Sequence, residues 1–361
     1  MIFLADLPPP IHGMSSINLA FCDVLKKAAQ GKVVVINTSP SIPGKYFNTY
    51  FWILAKIGMI PMLTVKLIKG FTNSQHSTLY RAINGGAGQV FDIIYLAVAR
   101  IFGIKIFIHH HSCNSISKKK LLFSLLNKVA GKDAIHIVLG MEMKLGLCNK
   151  YQILDSSIRI QSNLAFFDSM PKISKSTEFS NQVLRIGHLS NLCEEKGLGV
   201  FIELCAILES REVEFEAVLA GPFVNKVAEQ LYKQSDCNIN YLGPLYGESK
   251  QDFYQSIDLF VFPSMYFNEA EPLVLYEAAQ YGVFLIGTKR GCMPSVISSF
   301  EGQVVCENKE ISEVIAEKIS KLVYSDELQE HSMVLRQNLF NVKIRDEKKN
   351  LVALVGEILN V

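Results

Sequence analysis

Two carboxylates eight residues apart, Glu269 and Glu277 in NEAEPLVLYEAAQYG (268–282), are the first residues in this chain whose types and spacing suggest chemistry. Glu277 lies in an apolar run, with LVLY before it and AA after it. A carboxylate there is costly to bury unless something donates hydrogen bonds to it. Pro272 suits the first turn of a helix and Gly282 suits a stop just past its end, so the stretch reads as a short, largely buried helix with Glu269 in the loop before it. A polar ligand fitting between the two carboxylates accounts for both.

Three further stretches end a strand and open a loop or helix. In LADLPPPIHGMSSIN (4–18) a strand enters a proline-rich turn and then a helix. Gly13, Ser15 and Ser16 stand at the helix start, where free N–H groups can hold an anion or a sugar hydroxyl, although serine is also an ordinary cap there. FIHHHS (107–112) ends a buried strand in three histidines, and alternation puts His109 and His111 on one face and His110 on the other. No Cys, His or Asp follows at ligand spacing, so they read as a polar lining of the strand's carboxyl end rather than a metal pair. In RIGHLSNLCEEKGLGVF (185–201) the strand ends at Gly187, and Lys196-Gly197 introduces a helix. A lysine beside a helix N-terminus suits a diphosphate; the plain alternative is a solvated surface lysine. INGGAGQ (83–89) has no glycine in the sixth place of G-x-G-x-x-G and reads as a close-approach loop. No Walker loop, G-x-S-x-G elbow or D-x-D metal site is found.

The elements that must position these residues are short, continuous, β-branched runs alternating with longer helical patterns: 32–37, 104–110, 134–140, 183–189, 214–221, 259–264 and 283–288. Continuous rather than alternating apolar runs indicate parallel strands covered on both faces. The 361 residues are enough for two domains, and the polar, aperiodic stretch 169–182 is the best linker. We expect two doubly wound, Rossmann-like α/β domains, 1–170 and 176–341, facing across a cleft, with a helix at about 342–361 packing back on the first. Ligands of such sheets sit beyond the carboxyl ends of the strands, which makes that cleft the expected site.

Composition, 49% hydrophobic and 19% charged, suits a well-packed soluble protein. The eight cysteines form no C-x-x-C pair, so they read as reduced core residues of a cytosolic protein. MIFLADLPPP has no basic region and reads as a strand entering a loop, not a signal peptide. Charge is split: residues 1–176 hold 20 Lys+Arg and 7 Asp+Glu, the remainder 16 and 27. A basic half suits an anionic surface, membrane or nucleic acid, unless the two halves simply attract each other. Residues 49–71 are the most hydrophobic long stretch; Lys56, Pro61 and Lys66 argue against a membrane span. The stretch reads either as a segment lying on a bilayer through Phe51, Trp52 and its lysines or as a buried helix pair, and 117–132 carries the same ambiguity.

Taken in order, these motifs resemble glycosyltransferase family 4, retaining enzymes of the GT-B fold, over nearly the whole chain. The resemblance rests on Glu269–Glu277 with the following EAAQYGVFLIGTKRGCMPSVI, on VLRIGHLSNLCEEKG, VLAGPF and YLGPLYGESKQDFYQSIDLFVFPSMY, and on PPPIHGMS, IFIHHHS, IVLG and QSNLAFF. It implies that Glu277 holds the ribose of a nucleotide through a bidentate contact, stabilised also by its own helix N-terminus. It places Glu269 on the transferred sugar, and His111, with His109 second, near the reacting centre. Gly13, His188, Ser190, Lys196, Ala270, Glu271, Pro272, Leu273 and Val274 complete the donor site. The chain departs from the family at His188, where an arginine is common, at Pro272, where a glycine is common, and at Cys292, where a second glycine is usual.

The function implied is a metal-independent, retaining transfer of a hexose from a nucleotide-sugar donor, UDP-sugar favoured, to a lipid-linked or cell-surface polysaccharide of lipopolysaccharide, O-antigen or capsule type. No cofactor and no nucleic-acid partner are expected, and the protein is placed in the cytoplasm, peripheral on the inner face of an anionic membrane. The alternatives are a sugar-nucleotide epimerase of the same fold, which would not need the basic, apolar N-terminal surface, and a non-catalytic sugar-nucleotide binder, against which the presence of both glutamates, Lys196 and the histidines speaks. A nucleic-acid binder is a further alternative; the basic half supports it, but no aromatic-basic interleaving does.

Overall fold

The structure is a computed structural model and describes the chain except residues 43–48, 74–76, 170–182, 309, 324, 326, 327, 329 and 361. The linker expected at 169–182 therefore lies, beyond Ser169, outside the described residues. The chain forms two compact units, Met1–Phe167 with Asp346–Val361, and Asp168–Arg345.

Unit 1 is a six-stranded sheet of β1 (Ile2–Ala5), β2 (Val34–Asn37), β3 (Thr78–Ala82), β4 (Lys105–His109), β5 (Ile135–Val138) and β6 (Ile158–Ile160). The strands are all parallel, in the order β2-β1-β3-β4-β5-β6. Its helices are α1 (Gly13–Ala28), α2 (Tyr50–Asn73), α3 (Gln89–Ile101), the single turn α4 (Asn114–Ser117), α5 (Leu121–Ala130) and α6 (Met141–Tyr151). Unit 2 repeats the plan with β7 (Leu184–Leu189), β8 (Phe215–Ala220), β9 (Ile239–Tyr241), β10 (Leu259–Phe262), β11 (Phe284–Thr288) and β12 (Gln303–Val305). These too are all parallel, in the order β12-β11-β10-β7-β8-β9. Its helices are α7 (Leu198–Ser210), α8 (Lys226–Lys233), α9 (Glu248–Ser256), α10 (Leu273–Ala279), α11 (Met293–Ser299) and α12 (Ile311–Leu322).

Each order reverses once. In unit 1 the reversal falls between β1 and β3, in unit 2 between β7 and β10. The connections diverge at such a point and leave a crevice beyond the strands' carboxyl ends, where ligands of doubly wound sheets bind. Ile186, Leu219, Val261 and Ile286 pack with Leu198, Phe201 and Leu204 of α7 and with Ile315 and Ile319 of α12 in the core of unit 2. That core makes the strand ends beside the crevice rigid.

The last helix, α13 (Glu330–Leu359), differs from the expected separate piece at 342–361: it is one 30-residue helix. Its Leu351, Leu354, Val355 and Ile358 join Phe3, Phe21, Tyr80 and Phe107 in the core of unit 1. Arg159 of β6 holds the same end through Glu357 at 2.7 Å. No proline lies between 330 and 359, and the glycine there, Gly356, stands well past the division at 345/346, so nothing local ends the helix where the units divide.

The stretch 49–71 is likewise one helix, α2, running through Pro61. This corrects the reading as a buried helix pair. Trp52, Leu63, Leu67 and Phe71 form the buried stripe, while Phe51, Ile53, Leu54, Ile57, Met62, Val65 and Ile68 are exposed. By length and composition Tyr50–Thr72 could cross a membrane.

Candidate active site

The motifs of unit 2 meet at its reversal point. After β7 the chain makes a tight turn, Glu194–Lys196, and Gly197 takes φ +89° to start α7. A Cβ at Gly197 would lie 2.6 Å from the carbonyl oxygen of Pro263. Glycine is thus what lets the turn after β7 sit against the loop after β10. The backbone N–H of Met265 donates to the Glu195 carbonyl at 2.9 Å across the same gap. Lys196 then reaches Glu269, Nζ to Oε2, at 2.5 Å, and lies 4.6 Å from the centre of the Tyr266 ring. The buried Ser264 hydroxyl donates to the same carboxylate oxygen at 3.0 Å. Gly291, at φ +52°, approaches from the other side, where a Cβ would lie 2.4 Å from the Glu269 carbonyl oxygen. Lys196 and Glu269, which sequence placed in separate motifs, are one ion pair at the β7–β10 crevice.

His188, expected as a part of the donor site, carries no charge there. It is fully buried on β7. Its Nδ1 is 2.9 Å from the Val261 carbonyl oxygen, which can only accept, so Nδ1 carries the proton. Nε2 is then the acceptor for the Ser190 hydroxyl at 3.0 Å. Burial pushes the pKa of His188 down to about 4, so at neutral pH it braces β7 against β10 and adds no positive charge.

Glu277 is the fifth of the seven residues of α10, whose N-cap is Pro272. The expectation that its own helix N-terminus stabilises it is therefore corrected: it lies past the first turn, where that effect fades. Its partners come from α9. Lys250 Nζ lies 2.7 Å from Oε1 and also 2.7 Å from Oε2, and the buried Tyr254 hydroxyl donates to Oε2 at 2.9 Å. Glu271 accepts from the Tyr276 hydroxyl at 2.6 Å. Ala270 is buried and its carbonyl accepts the N–H of Cys292 at 2.7 Å; Leu273 and Val274 open α10.

In unit 1 the expected free N–H groups at the start of α1 are largely engaged. Gly13 is the first helical residue, but His12 caps the helix, its Nδ1 accepting from Ser15 N at 3.3 Å while Ser15 Oγ accepts from His12 N at 3.0 Å. The strand-end histidines divide as alternation predicts. His110 pairs with His136, ring nitrogens 3.0 Å apart, against Phe123. His109 and His111 lie on the other side with ring centres 4.1 Å apart. His109 is fully buried with Nδ1 2.5 Å from the Tyr80 hydroxyl, whereas His111 keeps part of its surface open. Burial pushes His111 down to about 3, helped by the neighbouring His12, and holds His109 well below its usual range; both act as neutral imidazoles. The Nε2 atoms of both rings are enclosed without a hydrogen-bond partner among the described residues.

Sequence reading missed the residues at the β1–β3 reversal. Lys56 of α2 bridges Asp6, at 2.7 Å, and Asn84, at 3.2 Å. Thr38 also donates to Asp6, and Arg81 forms a buried pair with Asp92 at 2.6 Å. Asp6 is nearly fully buried, yet Lys56 and Arg81 hold its pKa below the ordinary carboxylate value. A lysine in an apolar run and an arginine inside TLYRA were the available signals, since neither is buried without an acid. Lys250 and Tyr254 were missed too; Glu277's need for donors pointed to them, but not to their address. Among the described residues no group of three or more His, Cys, Asp and Glu is arranged to hold a metal ion.

Two parallel doubly wound units of this kind define the GT-B class of folds. The chain matches structures of that class over nearly its whole length: Anabaena HepE in complex with UDP, at 14% identity, TM-score 0.68 and 99% coverage of both chains; a glycosyltransferase from Rickettsia africae ESF-5, at 15% identity, TM-score 0.69 and coverage of 99% and 98%; and the lipopolysaccharide outer core galactosyltransferase WaaB, at 12% identity, TM-score 0.68 and coverage of 97% and 98%. The model of the family "Glycosyl transferases group 1" matches residues 169–357, and the chain belongs to that family. A curated relative, the putative glycosyltransferase EpsF of Bacillus subtilis (strain 168), is 33% identical over 103 residues, 28% of this chain; the match spans about a quarter, 26%, of EpsF.

Proposed function

We propose that the protein is a retaining, family 4 glycosyltransferase that moves a hexose from a nucleotide-sugar donor to a lipid-linked or cell-surface polysaccharide acceptor. The observation that carries this reading is the Lys196–Glu269 pair at the β7–β10 crevice, inside the region that matches the family. A cation and a carboxylate side by side suit the two halves of a sugar diphosphate: Lys196 faces the leaving diphosphate, and Glu269 accepts from hydroxyls of the transferred sugar. Glu277 accepts from the ribose. His188 being neutral, Lys196 and backbone N–H groups meet the leaving-group charge, and no metal is required. His111, with His109 behind it, contacts the sugar near the reacting carbon. UDP-sugars are the favoured donors, in keeping with the UDP complex of the HepE structure.

The acceptor reading rests on unit 1, which carries 20 Lys+Arg against 9 Asp+Glu, while unit 2 carries 16 against 25. In addition to the exposed face of α2, Ile101 at the end of α3, Phe102 just after it, and Leu121 and Leu125 of α5 are exposed. Apolar side chains among Lys66, Lys69 and Lys118–Lys120 suit an anionic bilayer, where a lipid-linked acceptor would be met. The protein would then work as a peripheral protein on the cytoplasmic face.

The test is product release from UDP-, GDP- and ADP-sugars with a membrane extract as acceptor, in excess chelator. Transfer from one donor, with the anomeric configuration retained, is expected. Turnover that requires added Mg²⁺ or Mn²⁺ would overturn the metal-free mechanism; epimerisation without transfer would favour the alternative enzyme class.

A further inference from the structure

We infer that Lys250 and Tyr254 of α9 are positioning residues that turn Glu277 into a reader of a single ribose hydroxyl. The inference rests on the reading of Glu277 as the ribose carboxylate and deepens it. An ionised carboxylate offers two oxygens and about four lone-pair directions. Lys250 Nζ straddles the group, 2.7 Å from each oxygen, and Tyr254 takes a further direction on Oε2 at 2.9 Å. Three directions are used. Among the described residues Oε2 meets both donors, whereas Oε1 meets Lys250 alone. One acceptor direction, on Oε1, is left for a ligand.

The clamp is built from rigid parts. Tyr254 is 2% exposed, packed against Phe253, Phe260 and Tyr281. Burial and the Glu277 carboxylate keep its phenol protonated, so it stays a donor. Lys250 and Glu277 retain side-chain exposures of 28% and 23%, so the pair can be reached from solvent. Donors on two sides fix the Glu277 rotamer before any ligand arrives, which lowers the ordering cost of binding. The same occupancy means that a cis-diol cannot take both oxygens while Lys250 stays, so the bidentate ribose contact that the family resemblance implies gives way to a contact with one hydroxyl. A nucleotide is recognised through either its 2′- or its 3′-hydroxyl.

The test compares a nucleoside diphosphate with its 2′-deoxy and 3′-deoxy forms by calorimetry, with UDP first and then GDP and ADP. In the wild type one deoxy form should bind about 10- to 100-fold more weakly, the range for a lost hydrogen bond to a charged group, and the other within about 3-fold. Lys250→Met should weaken the parent nucleotide and bring both deoxy forms within about 3-fold of it, because the carboxylate is no longer held. Lys250→Arg should restore the discrimination, and Tyr254→Phe should reduce it. Donor KM should rise in Lys250→Met with kcat nearly unchanged, a split that a merely structural lysine would not produce. Equal losses for both deoxy forms in the wild type, or full discrimination in folded Lys250→Met, would overturn the inference while leaving Glu277 on the ribose. Unchanged discrimination in Glu277→Gln, or no binding of any of the three nucleotides, would instead overturn the ribose reading itself.

Discussion

At the scale of single residues, the two glutamates should fail in different ways. Glu277→Ala removes a charged hydrogen bond to the nucleotide, worth roughly 1.5–3 kcal/mol, so donor KM should rise by about one to two decades with kcat nearly kept. Glu269→Ala removes the group that orients both the sugar and Lys196, 2.5 Å away, so the loss should fall mainly on kcat. Steady-state kinetics of both variants with one donor decides it; small, equal effects would count against the assignment. The histidine pair is tested by His109→Ala with His111→Ala. His109 is locked on Tyr80 and fully enclosed, so His111, part-open, should carry most of the loss in kcat. Wild-type turnover by the double variant would remove β4 from the site.

At the scale of elements, α2 and α13 set contrasting problems. α2 packs through one stripe and leaves Ile57 and Val65 exposed at 48% and 49%, so it is tied down by Trp52, Leu63, Leu67, Phe71 and the Lys56–Asp6 pair. Replacing Ile57 and Val65 by Asp should leave thermal stability nearly unchanged, since surface changes cost little. It should abolish sedimentation with vesicles containing anionic lipid. Wild-type binding should weaken as salt rises, because exposed charges are screened beyond about 10 Å at 0.1 M. Binding indifferent to lipid charge and to the two substitutions would leave the charge split as plain attraction between oppositely charged halves. In α13 Leu351, Leu354, Val355 and Ile358 are buried, while Leu335, Val342 and Val352 are exposed. Ile358 is fully buried among the core residues of unit 1, and Ile358→Ala should cost about 2–5 kcal/mol in urea unfolding.

At the scale of the whole molecule, acid stability is governed by buried histidines. His188 and His136 are pushed to about 4 and His111 to about 3, all by burial, and His109 and His110 lie well below the usual range. Each stays neutral in the folded chain but takes a proton near pH 6.5 once unfolded. The unfolded state therefore binds more protons below pH 6.5, and stability falls as pH drops from there toward about 4. Each such group removes up to roughly 1.4 kcal/mol per pH unit in that window. Thermal midpoints between pH 7 and 4 should fall steeply, and less so in His188→Gln. A flat profile would show that these rings are protonated in the folded chain.

What the sequence by itself determined is what local pattern can encode. Continuous β-branched runs placed β2, β4, β5, β7, β8, β10 and β11 within a few residues of where they lie, because burial on both faces demands such runs. The order of motifs around Glu269 and Glu277 was enough for the broader group, glycosyl transferases group 1. Strands of three residues, such as β6, β9 and β12, carry too short a run to be told from a loop, and β3 hides a buried Arg81 that reads as polar until Asp92 is seen beside it. Only the tertiary structure decided that Lys196 pairs with Glu269 73 residues away, that His188 is a neutral brace, and that Lys250 and Tyr254 hold Glu277. The physical reason is the same in each case. A charge's state depends on what packs against it, and the partners arrive through strand order, which reverses at β7 and β10 and brings the loops after those strands together.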